Sequence, residues 1–344
     1  MSKNWPRISV RTRLTAASVL LVGIVIFWPC DSCAERGSFT QDKPRAFNAK
    51  LASVPSTPGP VVPGLRQGAI PQGLAWDSGS KRMLISHYRE RGPACISILE
   101  SGKLVSAVTL NEKSGRTHEG HAGGLAVAGD SVFVASDGHV LQFDLNSFSK
   151  KQPPESVAPE RVRKCETNAD FCTATDKLLL VGEFAYRDKY PTRPSHHLKD
   201  RKGVRKYAWV CGYDLNDSSG PPTCVLSVRQ KVQGMSVSGD LVFLSVSYGR
   251  RNRSLIVVYR NPIGQPAHRT VKLQGGRTVP LWFLDGENYL GEIDFPPMSE
   301  GIVMVSNRLA VLSESGAEKY QSGGLGPLDV ILSLDVSRFR EGRP

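Results

Sequence analysis

The sequence lacks the local signatures of several common enzyme and binding classes. It has no glycine-rich nucleotide loop, no nucleophile-elbow motif and no cysteine spacing typical of zinc sites. The segment His118–His121 contains two histidines, but their spacing is wrong for a metalloprotease motif and no helix would carry them. No nucleic-acid recognition module is present either, so we expect no nucleic-acid partner.

Helical periodicity is also missing beyond the first residues of the chain. The 344 residues are 40% hydrophobic and 22% charged, which is enough apolar material for a sizeable core. Without helices, that core must come from β-sheets, and a large all-β architecture can be a single unit of this length. The sequence therefore predicts an all-β fold.

The start of the chain reads as a targeting segment. Four basic residues lie within Lys3–Arg13, an apolar run covers Leu14–Trp28, and small residues follow at Ser32 and Ala34. Because this run is shorter than the roughly 20 residues of a spanning helix, we expect residues 1–34 to be a signal peptide, with an uncleaved membrane anchor as the alternative. Both predict a secreted or extracytoplasmic protein that meets the membrane only through this segment.

The chain carries an excess of positive charge. Its first 34 residues contain four Lys or Arg residues and one Asp, so about +9 of the net charge of +12 lies beyond them. An excess of this size favours anionic partners such as phosphates, acidic glycans or lipid headgroups. Solubility alone is the competing explanation.

Export would permit disulfides. Cys211 and Cys224 lie on two strand-like runs joined by a short hairpin connection, so we expect them to be bridged. A short-loop bridge between Cys165 and Cys172 is a second option, and Cys95 would then remain a buried thiol. Cysteine spacing by itself leaves the connectivity open.

One sequence motif recurs along the chain: a polar residue, a glycine, an aliphatic strand, a short turn and a second aliphatic strand. Its clear copies open at Gln72, His121, Gln233 and Glu300, and a weaker copy opens at Asn168. Each copy is followed by a third strand, and fourth strands are expected at residues 104–110, 224–231 and 268–273. The repeating unit is therefore a four-stranded antiparallel meander.

The spacing of the copies predicts a β-propeller. The equivalent positions are 51, 47, 63 and 67 residues apart, and they are Gly73, Gly124, Phe171, Gly234 and Gly301. Blades typically repeat at about 40–50 residues, and the longer intervals contain insertions at residues 187–206 and 277–297. We expect five blades over residues 65–340, with a degenerate sixth blade around residues 281–295 as the alternative. Residues 35–64 are Pro-rich and would be a linker or the strand that latches the ring.

This repeat resembles the superfamily of quinoprotein, NHL and SMP-30-like propellers over residues 65–340. The phrases Gln72–Leu74 and Glu300–Ile302 also look like the plant-type glutaminyl cyclases, which are five-bladed, although their order differs here. The resemblance implies the propeller fold and no particular activity, because propellers host many activities.

In a propeller, the residues that open the first strand of each blade meet those that close the second strand around one axial funnel. The residues that open the first strands are Gln72, His121, Asn168, Gln233 and Glu300. The residues that close the second strands are His87, Asp137, Glu183, Tyr248 and Glu314. We expect these side chains to form a polar site, although they could simply satisfy exposed strand ends.

Among the funnel residues, His121 is the strongest candidate for a catalytic or metal-binding role, because it precedes paired glycines that allow a ligand to approach the backbone closely. With Glu300 and Glu183 it could act as a general base that a carboxylate orients. His121 and Glu300 could instead bind a divalent metal, the one cofactor we consider.

The loops after the second strands are basic and should rise on the same face as the funnel. Their cations are Arg89, Arg91, Arg187, Lys189, Arg250, Arg251 and Arg253. Together with Tyr88, Tyr186 and Tyr248 they suit an acidic ligand with sugar or aromatic character. A solvated charged rim is the competing interpretation. Residues 187–206 would be an exposed insertion that could cover the funnel, with His196 and His197 in solvent.

Two functions follow from these residues. The first is an exported lyase or hydrolase acting on an acidic glycan, with His121 as base, Glu300 or Glu183 orienting it, and Arg89, Arg187 and Arg250 neutralising the anion. The second is a non-catalytic binding propeller that uses the same basic face to hold a cell-wall polymer, a lipid headgroup or a partner protein. The ligand-binding residues that we expect beside the arginines above are Gln72, Asn168, Gln233, Tyr248 and Arg251, and the expected partner is an anionic small molecule or glycan. We expect a monomer in both cases.

Overall fold

The computed structural model describes residues 39–43 and 52–341. The predicted targeting segment, residues 1–34, lies outside the described residues. Within the described part, no helix is long and apolar enough to cross a membrane.

The first part of the described chain supplies one latch strand and two blades. Strand β1 spans Ser56–Val61. The strands of blade 1 are β2 (Ala69–Asp77), β3 (Arg82–Arg89), β4 (Cys95–Glu100) and β5 (Lys103–Leu110). The next elements are β6 (Gly124–Ala128), β7 (Ser131–Ser136), β8 (His139–Asp144), α1 (Asn146–Ser149), β9 (Ser156–Val157) and β10 (Arg161–Lys164). Blade 2 has the strand order β6-β7-β8-β10, and β9 adds to the edge of blade 1.

Blade 3 contains the first predicted insertion. Its elements are β11 (Phe171–Ala174), β12 (Leu178–Gly182), a 3-10 turn (Pro194–His196), β13 (Leu198–Lys199), β14 (Arg205–Lys206), β15 (Ala208–Asp214) and β16 (Cys224–Val228). Strands β13 and β14 pair only with each other and form a small ribbon inside the insertion.

The remaining elements complete blades 4 and 5. They are β17 (Val232–Ser238), β18 (Leu241–Val246), β19 (Ser254–Arg260), β20 (Arg269–Lys272), β21 (Thr278–Phe283), β22 (Tyr289–Phe295), β23 (Ser299–Val305), β24 (Arg308–Ser313), a 3-10 turn (Glu314–Gly316), α2 (Glu318–Gln321), β25 (Val330–Asp335) and α3 (Arg338–Glu341). Blade 4 has the order β17-β18-β19-β22. Blade 5 has the order β23-β24-β25-β1, so the first strand of the described chain closes the last blade.

The predicted five-bladed propeller is confirmed, and the alternative of a sixth blade is wrong. Strand β21 extends blade 3 by pairing in parallel with β16, and β20 pairs with β21 at the edge of that sheet. Strand β22 is the outer strand of blade 4. The segment expected to be the fourth strand of blade 4, residues 268–273, therefore belongs mainly to the edge of blade 3.

Glycines close the axis where the five inner strands meet. A Cβ added at Gly124 would lie 2.3 Å from the Cys172 nitrogen, and one at Gly301 would lie 2.5 Å from the Leu74 nitrogen. The small cavity that the inner strands line has a volume of about 10 Å³, roughly the space of one water. The four predicted glycines therefore occupy equivalent positions, since a Cβ at each of them would meet the backbone of a neighbouring inner strand.

The apolar core lies between the blades. Five buried clusters each join the facing sheets of two neighbouring blades around the ring. The middle strands are buried on both faces, which explains their continuous apolar runs; all six residues of β18 are buried. The outer strand β22 is instead largely exposed.

The expected Cys211–Cys224 disulfide is wrong. The strand register places Cys211 opposite Val225 and Gly212 opposite Cys224. This offset of one residue points the two thiols to opposite faces of the sheet, and they pack into different interblade cores. All five cysteines of the described chain, including Cys165 and Cys172, are buried free thiols.

Candidate functional site

Polar side chains from three blades meet on the axis above the glycines. Gln72 and Glu300 sit on inner strands of different blades, and Glu314 follows the second strand of blade 5. The Gln72 Nε2 atom donates to Glu314 Oε2 at 3.1 Å. The Gln233 Nε2 atom donates to Glu300 Oε1, also at 3.1 Å. The structure thus brings together four of the residues that the sequence placed in the funnel.

Glu300 and Glu314 form a hydrogen-bonded carboxyl pair. Glu300 is 2% exposed, and burial raises its pKa well above the ordinary value, with the neighbouring Glu314 charge adding to the effect. Burial also raises the pKa of Glu314, although the Gln72 amide and Lys319 oppose it. Because Glu300 donates to Glu314, the pair shares a proton that two exposed glutamates would have lost at neutral pH.

Aromatic and basic side chains stand above the carboxyl pair. Tyr320 hydrogen-bonds to Glu314, and its hydroxyl lies 3.3 Å from that of Tyr88. Lys319 Nζ lies 5.8 Å from the Tyr88 ring centroid and 5.3 Å from that of Tyr320. The Arg250 guanidinium lies 5.0 Å from the Tyr320 ring. We call the carboxyl pair with Tyr88, His121, Lys319 and Tyr320 the axial site.

His121 forms the side wall of the axial site. Its ring centroid is 4.4 Å from that of Tyr88, and its backbone N–H donates to Asp137 Oδ2 at 2.9 Å. Desolvation lowers the pKa of its imidazole, and Lys319 lowers it further, while Asp137 opposes both. A neutral imidazole at pH 7 retains a free acceptor nitrogen.

The structure does not unite His121, Glu300 and Glu183 as one group. Glu183 is buried, and its Oε1 accepts from His196 Nδ1 at 2.6 Å and from the Trp209 N–H at 3.0 Å. Across residues 39–43 and 52–341, no group of three or more His, Cys, Asp or Glu side chains is arranged to hold a metal ion. Glu183 therefore anchors the chain locally, and the metal alternative gains no support.

The expectation that both insertion histidines lie in solvent is wrong for His196. Its side chain is fully buried and stacks on Trp209 with a centroid distance of 3.9 Å and an interplanar angle of 13°. The reason is the carboxylate of Glu183, which gives a buried imidazole a hydrogen-bond partner. His197 is only partly exposed and lies near Thr192, with 2.9 Å between Nε2 and Oγ1.

Blade 3 contributes Asp170, a residue that the sequence reasoning missed. Asn168 is exposed, and its backbone carbonyl accepts from the Gly138 N–H. Burial raises the pKa of Asp170 to about 7, helped by nearby Glu183 and opposed by the Phe184 N–H. Asp170 directly precedes Phe171, the position equivalent to the glycines, just as Gln72 precedes Gly73. Gln233 and Glu300 precede their glycines in the same way, and this shared offset was the signal that could have found Asp170.

A second group of aromatic rings and cations lies on the rim of the funnel, which we call the tyrosine cluster. Its members are Phe184, Tyr186, Tyr190 and Tyr248 with Arg187, Lys189 and Lys231. The Tyr186 and Tyr248 rings are 4.1 Å apart, and Lys231 Nζ lies 4.7 Å from the Tyr186 centroid. Lys189 Nζ donates to the Tyr248 hydroxyl at 3.1 Å.

The arginines that the sequence placed in the basic loops make different contacts in the structure. The Arg89 guanidinium lies 5.1 Å from the Phe39 ring and packs against that segment. Arg250 and Arg251 donate to the backbone carbonyls of Ser322 and Gly323. Arg187 lies over the Tyr186 ring at 5.3 Å. Of these four arginines, Arg187 and Arg250 therefore lie against rings of the two aromatic groups described above.

No family model and no curated protein matches the chain. Solved structures resemble its fold. One is glutaminyl cyclase from Myxococcus xanthus, with 10% identity over 82% of this chain and 97% of that chain and a TM-score of 0.44. Another is a glucose dehydrogenase-type oxidoreductase from Thermus thermophilus, with 12% identity, 82% and 100% coverage and a TM-score of 0.41.

A gluconolactonase from Xanthomonas campestris is a third neighbour, with 11% identity over 87% of this chain and 96% of that chain and a TM-score of 0.34. At these identities and TM-scores the similarity concerns the fold alone and carries no activity to this chain.

Proposed function

We propose that the protein is exported and that its funnel face binds an anionic carbohydrate or a ligand of similar chemistry. The observation that carries the proposal is the tyrosine cluster, where aromatic rings and cations stand side by side on the rim. Aromatic faces suit the apolar faces of sugar rings, and Lys and Arg suit carboxylate and sulfate groups. The basic leader and apolar run at the start of the sequence support export.

The charges of the tyrosine cluster are uncompensated. In the described chain, Arg187, Lys189 and Lys231 form no ion pair with a carboxylate, and their close neighbours are aromatic rings. Because the carboxyl pair of the axial site shares one proton, it carries one negative charge and not two. An anion on this face would therefore meet positive charge without displacing an existing ion pair.

The test is equilibrium binding of the mature protein to acidic oligosaccharides, uronate-containing and sulfated, compared with neutral oligosaccharides of equal length. We expect acidic ligands to bind and Lys231→Met and Tyr248→Ala each to lose about tenfold in affinity, the scale of one charge-assisted contact or one stacked ring. Lys272→Met and Tyr289→Ala change exposed residues on the outer strands β20 and β22, and should be silent. Equal binding of neutral ligands, or silent Lys231 and Tyr248 variants, would contradict the proposal.

Catalysis on the same ligand is a second candidate, and the Glu300–Glu314 pair favours it. A carboxyl that keeps its proton at neutral pH can act as a general acid in a hydrolase or lyase. Gln72 and Gln233 hold the two carboxyls, and Tyr320 links Glu314 to the aromatic wall. Neutral His121 beside Tyr88 would be the proton acceptor.

Product analysis after incubation with the bound oligosaccharides tests this candidate. Glu300→Gln can still donate to Glu314 and accept from Gln233 but has no carboxyl proton to give up, so turnover should fall at least about a hundredfold while binding persists. His121→Ala should also reduce turnover. If no product forms with any bound ligand, or if both variants retain wild-type turnover, catalysis by these groups is wrong and the binding function remains.

A further inference from the structure

A cleft between blades 2 and 3 lies at the opposite end of the inner strands from the funnel. Its rim contains the β6–β7 turn with Asp130, the β11–β12 turn with Asp176, and the end of β15 with Asp214. These turns follow strands that start at the funnel, so the cleft belongs to the other face. Its volume is about 390 Å³, within the usual range of small-molecule sites.

The cleft has an apolar floor. Phe133 and Leu179 are 8% and 3% exposed, and both line the cavity from the interblade core together with Val140 and the partly buried Leu215. An apolar floor of this kind suits an aliphatic or aromatic group of a ligand.

Two arginines form one wall of the cleft. Arg161 and Arg163 are two residues apart on β10 and therefore share one face of the sheet. The Arg163 guanidinium lies 4.8 Å from the Tyr213 ring and donates from Nη2 to the Asp217 carbonyl at 2.6 Å. Its Nη1 atom is buried and has no hydrogen-bond partner. Arg163 is thereby held at the wall of the cleft, and the exposed Arg161 beside it offers its guanidinium to a carboxylate.

The carboxylates of the cleft are also available. Those of Asp130 and Asp176 accept no hydrogen bond and form no ion pair within the described chain, and Asp214 uses one oxygen for the Asn216 N–H. Neither arginine forms an ion pair with them. Opposite charges thus face one cavity while remaining unpaired with each other.

We propose that this cleft binds a zwitterionic amino acid or dipeptide with an apolar side chain. The ligand carboxylate would pair with Arg163 and Arg161, its ammonium group with Asp130 and Asp176, and its side chain would lie against Phe133 and Leu179. A ligand with one charge would leave the opposite set of charges unused, whereas a zwitterion satisfies both. The proposal is independent of the function proposed for the funnel face.

Isothermal titration calorimetry of the mature protein with leucine and leucyl-leucine tests the proposal, and the two probes distinguish a free amino acid from a dipeptide. N-acetyl-leucine lacks the ammonium charge and leucinamide lacks the carboxylate. We expect each blocked compound to bind at least about tenfold more weakly, because each loses one charge-assisted contact.

Variants locate the binding. Arg163→Met and Asp176→Asn should each lose about tenfold or more in affinity, while Arg269→Met and Asp188→Asn, exposed residues outside the cleft, should bind as the wild type does. Asp130→Asn repeats the test at an exposed turn, where the change leaves the core intact. The proposal is overturned if neither probe binds, if the blocked compounds bind equally well, or if the Asp130 and Asp176 variants keep full affinity.

Discussion

At the scale of single residues, burial and hydrogen-bond partners separate groups available for chemistry from groups that hold the fold. Glu183 and Glu300 are both buried strand-end carboxylates. Glu183 accepts from His196 and from the backbone, whereas Glu300 meets a second carboxyl and a neutral amide. The sequence placed Glu300 in the funnel with its partners Gln233 and Glu314, but it did not predict that His196 of the insertion packs against Glu183.

Asp170 predicts how stability depends on pH. Burial raises its pKa from 3.8 to about 7, so between these values the folded protein binds more protons than the unfolded chain, and the free energy of unfolding falls as pH rises. Asp170→Asn keeps an oxygen for the Phe184 N–H but cannot ionise. Over this pH range we expect the free energy of unfolding of the wild type to fall by on the order of 2–4 kcal/mol more than that of the variant.

Urea denaturation between pH 4 and pH 8 measures this effect. The exposed Asp188→Asn variant is the control and should follow the wild-type curve. A pH dependence in Asp170→Asn that matches the wild type would show that Asp170 ionises normally in the folded protein.

The thiols give a second prediction at this scale. Burial raises the pKa of Cys95 to about 12 and of Cys165 to about 11, and both Cys211 and Cys224 are buried as free thiols. A maleimide reagent at pH 7 should therefore label the Cys211 and Cys224 peptides only after unfolding, without a reductant. Mass spectrometry that finds these two peptides joined by a disulfide would contradict the structure.

At the scale of elements, the inner strands and the fourth strands of blades 1 and 3 were predictable, but the fourth strand of blade 4 was not. Inner strands carry the repeated glycine and pack on both faces, so their apolar pattern is strong. The outer strands β20 and β22 are mostly exposed and have little pattern. Strand β20, expected in blade 4, lies at the edge of blade 3, and β22 is the fourth strand of blade 4. This arrangement depends on the parallel pairing of β21 with β16, a long-range contact that no local propensity specifies.

The inner glycines predict a steep stability loss. Gly124→Ala places a Cβ 2.3 Å from one backbone atom of the next blade and 2.6 Å from another, neither of which can move alone. We expect a loss of about 3 kcal/mol or more in the free energy of unfolding. Gly275→Ala, which meets nothing within 4 Å, is the matched control. Urea denaturation showing equal stability for both variants would mean that the inner strands are not closely apposed.

The insertion at residues 187–206 predicts a local opening. His196 docks against Trp209 and Glu183, so His196→Ala should release the insertion while the five interblade cores persist. Trypsin should then cut within residues 187–206 at least about tenfold faster than in the wild type. Ser195→Ala, an exposed neighbour, should not change the rate. A cut rate unchanged by His196→Ala would show that the docked histidine does not hold the insertion.

At the scale of the whole molecule, closure of the ring depends on a strand that the sequence left undecided. Residues 56–61 precede all five inner strands, yet β1 pairs with β25 at the edge of blade 5. Deleting residues 39–61 removes this pairing and part of the buried contact around Val54 and Val61. We expect a Tm lower by about 5 °C or more, since several buried contacts are lost in a domain of this size. A truncated protein with unchanged Tm would show that the ring does not need this strand.

The functional account depends on which face of the ring meets the ligand. Hydrogen–deuterium exchange of the mature protein, with and without a saturating acidic oligosaccharide, measures this directly. The account predicts slower exchange in residues 184–190, 247–251 and 318–323, which line the tyrosine cluster and the axial site, and no change in the turns at residues 128–131 and 214–218 on the opposite face. Protection confined to that opposite face or to the outer strands, or no protection with any acidic oligosaccharide, would contradict the proposed function.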